Sequence, residues 1–185
     1  FRIQSPDDPR IGDYVSVRER DLTGRDGKFI VEGKVTLNIL LTRSRFAVDS
    51  LFLAETRLDA VQDMLQAVPD GVPVYAAPQA VMDAVVGFPI HRGILACARK
   101  SGMTGIETLL DTGGPLLVLS EIANHDNVGA AFRNAAAFGA RGVILDGRSC
   151  DPLYRKAIRV SAGASLWLPF HQGGDGAGHI AALKA

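Results

Sequence analysis

Residues 127–146 read NVGAAFRNAAAFGARGVILD, the pattern of a small-residue helix followed by a short apolar strand. The helical part is almost entirely Ala, Val, Phe and Gly, yet it contains Asn127 and Arg133. Small side chains let a neighbouring element approach closely, so we expect packed surroundings. A guanidinium there must reach a phosphate, a carboxylate or solvent. Arg133 is therefore a candidate functional residue, and the alternative is a surface arginine whose head stays in water.

An alternation of strands and helices precedes this stretch. Residues 1–14 are polar and Pro-rich, which predicts turns or a linker, and a possible short helix follows before a Gly-rich turn. The strand candidates after that turn are FIVEG, VDSLFLAE, PVYAA and RGILACAR. Helical patterns separate them, in VTLNILLTR, RLDAVQDMLQAVP and PQAVMDAVVG. The alternation predicts a three-layer α/β domain over residues 15–100.

A second α/β segment follows a glycine-rich interruption. Residues 101–114 contain four glycines and little periodicity, which predicts a linker. In the domain predicted over residues 115–185, the strand candidates are PLLVLSEI, GVILD and LWLPF. Helices are predicted over 127–139, in DPLYRKAIRVSAGA and in the tail. Because the chain starts at Phe1 and stops within a helical pattern, we expect it to cover only part of its gene product and this sheet to be incomplete.

Composition and charge exclude several classes of protein. Hydrophobic residues make up 47% and charged residues 22%, the range of an ordinary globular chain. Twenty basic and twenty acidic residues cancel, which argues against a sequence-blind nucleic-acid binder but permits a local basic patch. No apolar run is long enough to span a membrane and no signal peptide is visible, so a cytoplasmic location is expected. Cys97 and Cys150 fit no zinc or redox spacing, so we expect free, buried thiols and no metal site.

Two groups of polar residues are candidate sites. The first, Asn124 to Asn127, follows a predicted strand, and ligands of open α/β sheets bind beyond the carboxyl ends of strands. Either Asp126 or Asn127 can instead cap the helix, although Gly129 permits close approach by a ligand. The second group lies on a helix starting near Pro152 and suits phosphate contact, with an ordinary solvated face as the alternative. It consists of Arg155, Lys156, Arg159 and Ser161.

The stretch NVGAAFRNAAAFGARGVIL resembles the first motif of the SpoU-type RNA ribose methyltransferases of the SPOUT superfamily, an Asn, a Gly two residues later and an Arg four beyond that. DPLYRKAIRVSAGASLWLPF resembles the second motif, a helix running into Ser-x-Gly-Ala and an apolar strand. FIVEG and HRGILACAR, within residues 28–100, resemble the small RNA-binding domain often fused ahead of this family. The similarity covers nearly the whole chain.

The resemblance implies an α/β fold with an RNA substrate-binding domain followed by a trefoil-knotted methyltransferase domain. It implies a cytoplasmic homodimer that methylates the ribose 2′-hydroxyl of ribosomal or transfer RNA, with S-adenosylmethionine as donor. Arg133 and Asn127 would be the catalytic residues, the arginine activating the hydroxyl and the asparagine placing the ribose or holding Arg133. The four residues of the second group would contact RNA.

The chain departs from the family pattern after Phe170. A third motif, with a Gly-Glu-rich loop and an Asn-rich helix, should supply most cofactor contacts, and nothing after Phe170 matches it. We therefore expect the chain as given to be inactive and assign no cofactor-binding residue. The alternative function is a non-catalytic RNA-binding protein with a degenerate methyltransferase domain. An unrelated nucleotide-binding α/β protein is disfavoured because neither GxGxxG nor GxxxxGK[ST] follows a predicted strand.

Overall fold

The computed structural model describes residues 1–15, 27–111 and 113–184. The chain folds into two compact units, Phe1–Ser101 and Gly102–Ala185. The short helix that the sequence predicts after residue 15 lies outside the described residues. Within them, no helix is both long and apolar enough to cross a membrane.

The first unit is a four-stranded mixed sheet with helices. Its elements are β1 (Lys28–Glu32), α1 (Lys34–Thr42), β2 (Val48–Ala54), α2 (Leu58–Leu65), β3 (Val74–Ala77), α3 (Gln79–Val86) and β4 (Ile94–Arg99), with 3-10 helices at Pro9–Tyr14 and Glu55–Arg57. The strand order is β1-β4-β2-β3. Strand β4 is antiparallel to β1 and β2, and β3 is parallel to β2. All seven predicted helices and strands of this segment are present.

Both faces of this sheet are covered. Phe52 of β2 packs with Met82 and Val85 of α3 in one buried cluster. Leu51 and Leu53 are equally buried but point to the opposite face, because successive strand residues alternate. Helix α1 packs on that side, against β1 and β4. The three-layer arrangement predicted from the sequence follows.

The N-terminal segment is part of the first unit and not a linker. Ile3, Ile11 and Tyr14 are fully buried in the cluster beneath α3. The Tyr14 hydroxyl lies 2.8 Å from Ser50 Oγ and accepts a hydrogen bond from the backbone N–H of Cys97 at 3.2 Å. Of the two alternatives for residues 1–14, turns or a linker, the structure has turns within a folded segment. The three apolar residues show no periodicity, although all three belong to the core.

The two cysteines are free, as expected. Cys97 is fully buried, and burial raises the pKa of its thiol to about 12. Cys150 is only half-buried, so the expectation of two buried thiols holds for Cys97 alone.

The second unit has a three-stranded parallel sheet in the order β5-β6-β7. Its elements are α4 (Ile106–Leu110), β5 (Leu116–Leu119), α5 (His125–Ala137), β6 (Gly142–Leu145), α6 (Arg155–Val160), α7 (Ala164–Trp167), β7 (Phe170–Gln172) and α8 (Gly176–Lys184). Because all three strands are parallel, their carboxyl ends lie at the same edge of the sheet. The loops that leave this edge carry the candidate site.

The structure differs from the sequence-based expectation in two segments of this unit. The stretch LWLPF, predicted as a strand, begins with helix α7, and β7 starts only after Pro169. A short apolar run fits a buried helix as well as a strand, and Pro169 cannot donate to a ladder. The segment predicted as a linker contains α4, whose Leu109 is fully buried. Five residues are too few to show helical periodicity.

Candidate functional site

Helix α5 begins directly after the loop that leaves β5. Its N-cap is Asn124, whose Oδ1 accepts a hydrogen bond from the backbone N–H of Asp126 at 2.7 Å. The sequence left Asp126 and Asn127 as candidate caps, and neither is the cap. Asn127 is exposed in the first turn, and its side chain forms no hydrogen bond with any described residue. Its amide is therefore available to a ligand.

Helices α5 and α6 pack closely because of one glycine. A Cβ atom at Gly129 would lie 2.7 Å from the Ala157 carbonyl oxygen and 2.8 Å from Val160 Cβ. It would also lie 3.1 Å from the backbone nitrogen of Ser161. Two of these three neighbours are backbone atoms, which cannot rotate away as a side chain can. Gly129 therefore sets the distance between the two helices.

Arg133 lies one turn beyond Gly129, on the same side of α5. Its side chain is exposed, and within residues 1–15, 27–111 and 113–184 it forms no hydrogen bond or ion pair. Asn127 is six residues earlier, which on an α-helix means about 9 Å along the axis and about 120° around it. The helix thus presents the two predicted catalytic residues on different sides of its exposed surface, and they do not converge on one point.

The basic residues of α6 are on or near the surface. Lys156 and Arg159 are exposed and Arg155 is half-buried. Lys156 Nζ lies 2.7 Å from Asp126 Oδ2, which joins α6 to the first turn of α5. Both side chains are almost half exposed, and an ion pair of that kind is worth only about 0.2–1 kcal/mol. A phosphate can therefore replace Asp126 as the partner of Lys156 at little cost.

Ser161 is placed differently from the other three residues of its group. It is 1% exposed, and its hydroxyl donates to the Ile158 carbonyl at 2.9 Å and lies 3.3 Å from Ser165 Oγ. A hydroxyl that is buried and bonded in this way is not available to RNA. The structure therefore does not support the predicted RNA contact and gives Ser161 a role in the turn between α6 and α7. Sequence spacing could not separate these two roles.

Asp146, at the carboxyl end of β6, is a polar centre that the sequence analysis missed. Its Oδ2 accepts from Ser120 Oγ at 2.7 Å and from the backbone N–H of Glu121 at 2.9 Å. Its Oδ1 accepts from the hydroxyl and backbone N–H of Ser149, at 2.8 and 2.9 Å. These hydrogen bonds, that from Ser120 above all, stabilise the charged carboxylate and lower its pKa to about 2. The sequence could have indicated Asp146, because it is an acidic residue directly after a predicted buried strand. Asn124 was selected by the same position after a strand.

A cavity of about 450 Å³ lies beside Asp146 at the carboxyl edge of the sheet. Its lining residues are Ser120, Glu121, Asp146, Arg148, Gly174, Asp175, Gly176 and Ala177. Pockets for small molecules are usually lined mainly by apolar side chains, and an adenine ring needs such a slot. Ala177 is the only apolar side chain among these eight residues, and the Asp146 carboxylate already has its donors. This cavity therefore does not fit a whole adenosyl cofactor, and none of its residues is assigned to hold one.

No group of side chains in the described ranges could hold a metal ion. The site consists of a polar cavity at the sheet edge and a cationic surface on α5 and α6. We call the second feature the α5–α6 surface, formed by Asn127, Arg133, Arg155, Lys156 and Arg159.

Comparison with known proteins identifies relatives over the whole chain. Residues 114–185 match the SpoU rRNA methylase family. An uncharacterized tRNA/rRNA methyltransferase of Mycobacterium bovis is 35% identical over 186 residues, covering 98% of this chain and 64% of the relative. The 23S rRNA (guanosine-2′-O-)-methyltransferase RlmB of Acinetobacter baylyi is 30% identical over 136 residues, covering 71% of this chain and 54% of that protein. The chain thus spans less than two thirds of the length of these relatives.

Solved structures show the same fold. An AdoMet-bound rRNA methyltransferase from Sinorhizobium meliloti superposes with a TM-score of 0.75 at 18% identity, covering 100% of this chain and 69% of that one. The SpoU methyltransferase AviRb from Streptomyces viridochromogenes, in complex with AdoMet, gives a TM-score of 0.76 at 17% identity. That match covers 96% of this chain and 66% of AviRb.

Proposed function

We propose that the protein transfers a methyl group from S-adenosylmethionine to a ribose 2′-hydroxyl of ribosomal or transfer RNA, because residues 114–185 belong to the SpoU rRNA methylase family. A relative named as a guanosine-2′-O-methyltransferase supports the ribose hydroxyl as acceptor. Structural neighbours in complex with AdoMet support the donor. Relatives named as tRNA/rRNA methyltransferases support the substrate class.

The observation that carries the proposal is the position of Arg133. It is an exposed guanidinium without an ion pair in the described parts of the chain, on a helix held in place by the contact at Gly129. A ribose hydroxyl is a poor nucleophile at neutral pH, since its oxygen must carry negative charge as it attacks the methyl carbon. A positioned cation lowers the energy of that charge.

We favour charge stabilisation by Arg133 over proton removal by it. A guanidinium keeps its proton at neutral pH and cannot accept another until it loses its own. A nearby RNA phosphate favours the charged form further. Arg133 therefore orients the hydroxyl and stabilises the developing alkoxide, and the proton passes to solvent. Asn127, whose side-chain amide forms no hydrogen bond with any described residue, holds a neighbouring phosphate of the same RNA.

The basic residues of the α5–α6 surface position the RNA. Phosphate contacts fix the register of a nucleic acid without reading its sequence. Lys156 and Arg159 are exposed for such contacts, and Arg155 is partly accessible. The ion pair between Lys156 and Asp126 holds one cation in place before RNA arrives.

The proposal is tested by replacing Arg133 in the full-length protein. The Arg133→Ala variant should lose about 10²–10³-fold in turnover, the usual effect of removing one group that stabilises an oxyanion. Its affinity for RNA should stay nearly unchanged. The matched control is Arg141→Ala, which removes another exposed arginine of the same unit. Turnover is measured as transfer of labelled methyl to ribosomal RNA, followed by alkaline hydrolysis, which leaves 2′-O-methylated dinucleotides intact. Equal turnover in the two variants would remove Arg133 from the mechanism.

A non-catalytic RNA-binding protein is the second candidate. It is favoured by one observation, namely that the polar cavity beside Asp146 offers no apolar slot for the adenosyl group. Calorimetric titration with S-adenosylmethionine separates the two functions. Binding of one equivalent supports the enzyme, whereas RNA binding without cofactor binding supports the module.

Three further properties implied by the family are part of the same proposal. They are a trefoil knot completed around the β5-β6-β7 sheet, a homodimer and a cytoplasmic location. The knot is tested by the structure of the protein with its cofactor, and the dimer by sedimentation equilibrium.

A further inference from the structure

Two aromatic side chains stack on each other between the first turns of α5 and α6. His125 is the first residue of α5, and Tyr154 is the N-cap of α6. Their ring centroids lie 4.1 Å apart, and their planes are inclined by 34°. Both residues are half-buried, so the pair reaches the surface. We call this pair the His125–Tyr154 stack, and neither of its members takes part in the mechanism proposed for Arg133.

The His125–Tyr154 stack lies next to the cations of the α5–α6 surface. Asp126 directly follows His125, and Lys156 comes two residues after Tyr154. The ion pair between Lys156 and Asp126, at 2.7 Å, therefore joins the same two turns as the aromatic contact. A nucleic acid that has a phosphate at Lys156 brings its neighbouring bases close to the two rings.

Tyr154 is the ring of the pair that can accept a ligand. Its hydroxyl forms no hydrogen bond with any described residue, although a tyrosine that serves packing alone usually finds a partner for this group. His125 can cover only one face of the Tyr154 ring. The opposite face and the hydroxyl are therefore the parts of Tyr154 that a ligand can contact.

An aromatic ring beside phosphate-binding cations suits an unpaired base. Bases that are not paired stack on tyrosine and histidine rings, and the strength of the stacking gives a modest preference among bases. A purine has two fused rings and covers more of a tyrosine ring than a pyrimidine does. The contact with His125 holds the Tyr154 ring in place before RNA arrives, so less side-chain entropy is lost on binding.

The position of the stack on α5 places the base relative to the reacting ribose. Arg133 follows His125 by eight residues, which is about 12 Å along the axis of an α-helix. Stacked nucleotides follow one another at about 3.4 Å along a strand. A base on Tyr154 therefore belongs to a nucleotide within about four positions of the ribose at Arg133.

We propose that Tyr154, supported by His125, stacks on an unpaired purine close to the methylated ribose and so determines which RNA segments are methylated. The inference rests on the proposed function for the identity of the polymer. Tyr154 contacts the base, and His125 is a positioning residue that acts through Tyr154. Phosphate contacts at Lys156 supply affinity without regard to the base, whereas the tyrosine ring supplies the preference for a purine.

The test compares two fluorescein-labelled RNAs of equal length and charge, an oligouridylate and an RNA of UUA repeats, by fluorescence anisotropy over a series of KCl concentrations. The wild-type full-length protein should bind the UUA repeats more tightly. Tyr154→Leu should bind them at least about fivefold more weakly and lose the preference, since removal of a stacked aromatic residue has at least this effect. The slope of log K against log salt should not change, because no charge is removed. Tyr154→Phe keeps the ring and should keep both the affinity and the preference.

The matched control is Phe138→Leu, which removes an aromatic ring that is 87% exposed at the other end of α5. This variant should keep the preference for the UUA repeats. Equal losses in Tyr154→Leu and Phe138→Leu would overturn the proposal, as would equal binding of the two RNAs by the wild type. The wild type also gives a direct test of the contact, because an oligo(5-iodouridylate) cross-linked by ultraviolet light should attach to Tyr154. Cross-links at other residues alone would likewise overturn it.

Methyl transfer distinguishes this inference from the proposed function. If Arg133→Ala loses turnover while Tyr154→Leu keeps the preference for the UUA repeats, the stacking proposal fails and the enzymatic function stands. If Tyr154→Leu loses the preference while the wild type transfers no methyl group, the enzymatic function fails and Tyr154 stands as the base contact of an RNA-binding module.

Discussion

Replacing Gly129 with alanine tests the packing on which the α5–α6 surface depends. In an open helix this change stabilises by about 0.5–1 kcal/mol, because glycine has the larger conformational entropy to lose. At position 129, however, the new methyl group would lie 2.7 Å from the Ala157 carbonyl oxygen and 2.8 Å from Val160 Cβ. Overpacking a close contact costs about 1–3 kcal/mol, and the upper end applies because part of the contact is backbone. The expected net effect is a destabilisation of about 2–2.5 kcal/mol.

The chain provides both a selective probe and a matched control. Its single tryptophan, Trp167, lies in α7, so its fluorescence follows unfolding of the second unit alone. Gly178→Ala makes the same change in α8, where the nearest atom to a new Cβ is 3.6 Å away, and should stabilise by up to about 1 kcal/mol. In urea titrations the midpoint should therefore fall for Gly129→Ala and rise for Gly178→Ala. A rise for both variants would refute the close approach of α5 and α6.

Two further predictions concern single side chains. Tyr14→Phe removes the buried hydroxyl that contacts Ser50 Oγ and accepts a hydrogen bond from the Cys97 N–H. The free energy of unfolding of the first unit, measured by circular dichroism, should therefore fall by about 1–3 kcal/mol. An unchanged unfolding midpoint would contradict these hydrogen bonds. Asp146 has a folded-state pKa of about 2, below its ordinary value of 3.8, so the stability that it contributes is present above pH 3.8 and is lost as the pH falls towards 2. Urea midpoints read from tryptophan fluorescence should therefore fall across that window, and Asp146→Asn should show a smaller fall than the wild type; equal falls would contradict the assignment.

The sequence predicts the parts of the fold that repeat a regular pattern. The strand expected in VDSLFLAE is β2 at Val48–Ala54, and the helix expected over 127–139 is α5 at His125–Ala137. The first is a short apolar run bounded by polar residues and the second is a helical stretch of small residues, so each has a sequence pattern that burial produces. Residues 1–14 and the segment with α4 lack it, since their buried residues are isolated within polar or glycine-rich stretches. Only the tertiary structure shows that Tyr14 and Leu109 belong to the cores.

The candidate site likewise contains residues that the sequence could indicate and residues that it could not. Arg133 and Gly129 could be selected from the sequence because they stand out within one helix. The hydrogen bonds of Asp146 come from loops after two different strands. A contact between distant parts of the chain leaves no local pattern, so spacing could not reveal it. Ser161 shows the converse error, because a residue that suits phosphate binding by type and position is buried.

Gly129 and Arg133 lie on the same side of α5, the side on which α6 packs against Gly129. Gly129 lets the backbone of α6 lie against α5, and this contact brings Lys156 within 2.7 Å of Asp126. Arg133 follows Gly129 by one turn on the same side of the helix, so its distance from the cations of α6 is set by how closely the helices approach. A larger residue at position 129 would move α6, and with it the phosphate contacts proposed for Lys156 and Arg159, relative to the guanidinium. An RNA held by α6 would then present its ribose away from Arg133, so Gly129→Ala should weaken methyl transfer even under conditions in which the protein remains folded.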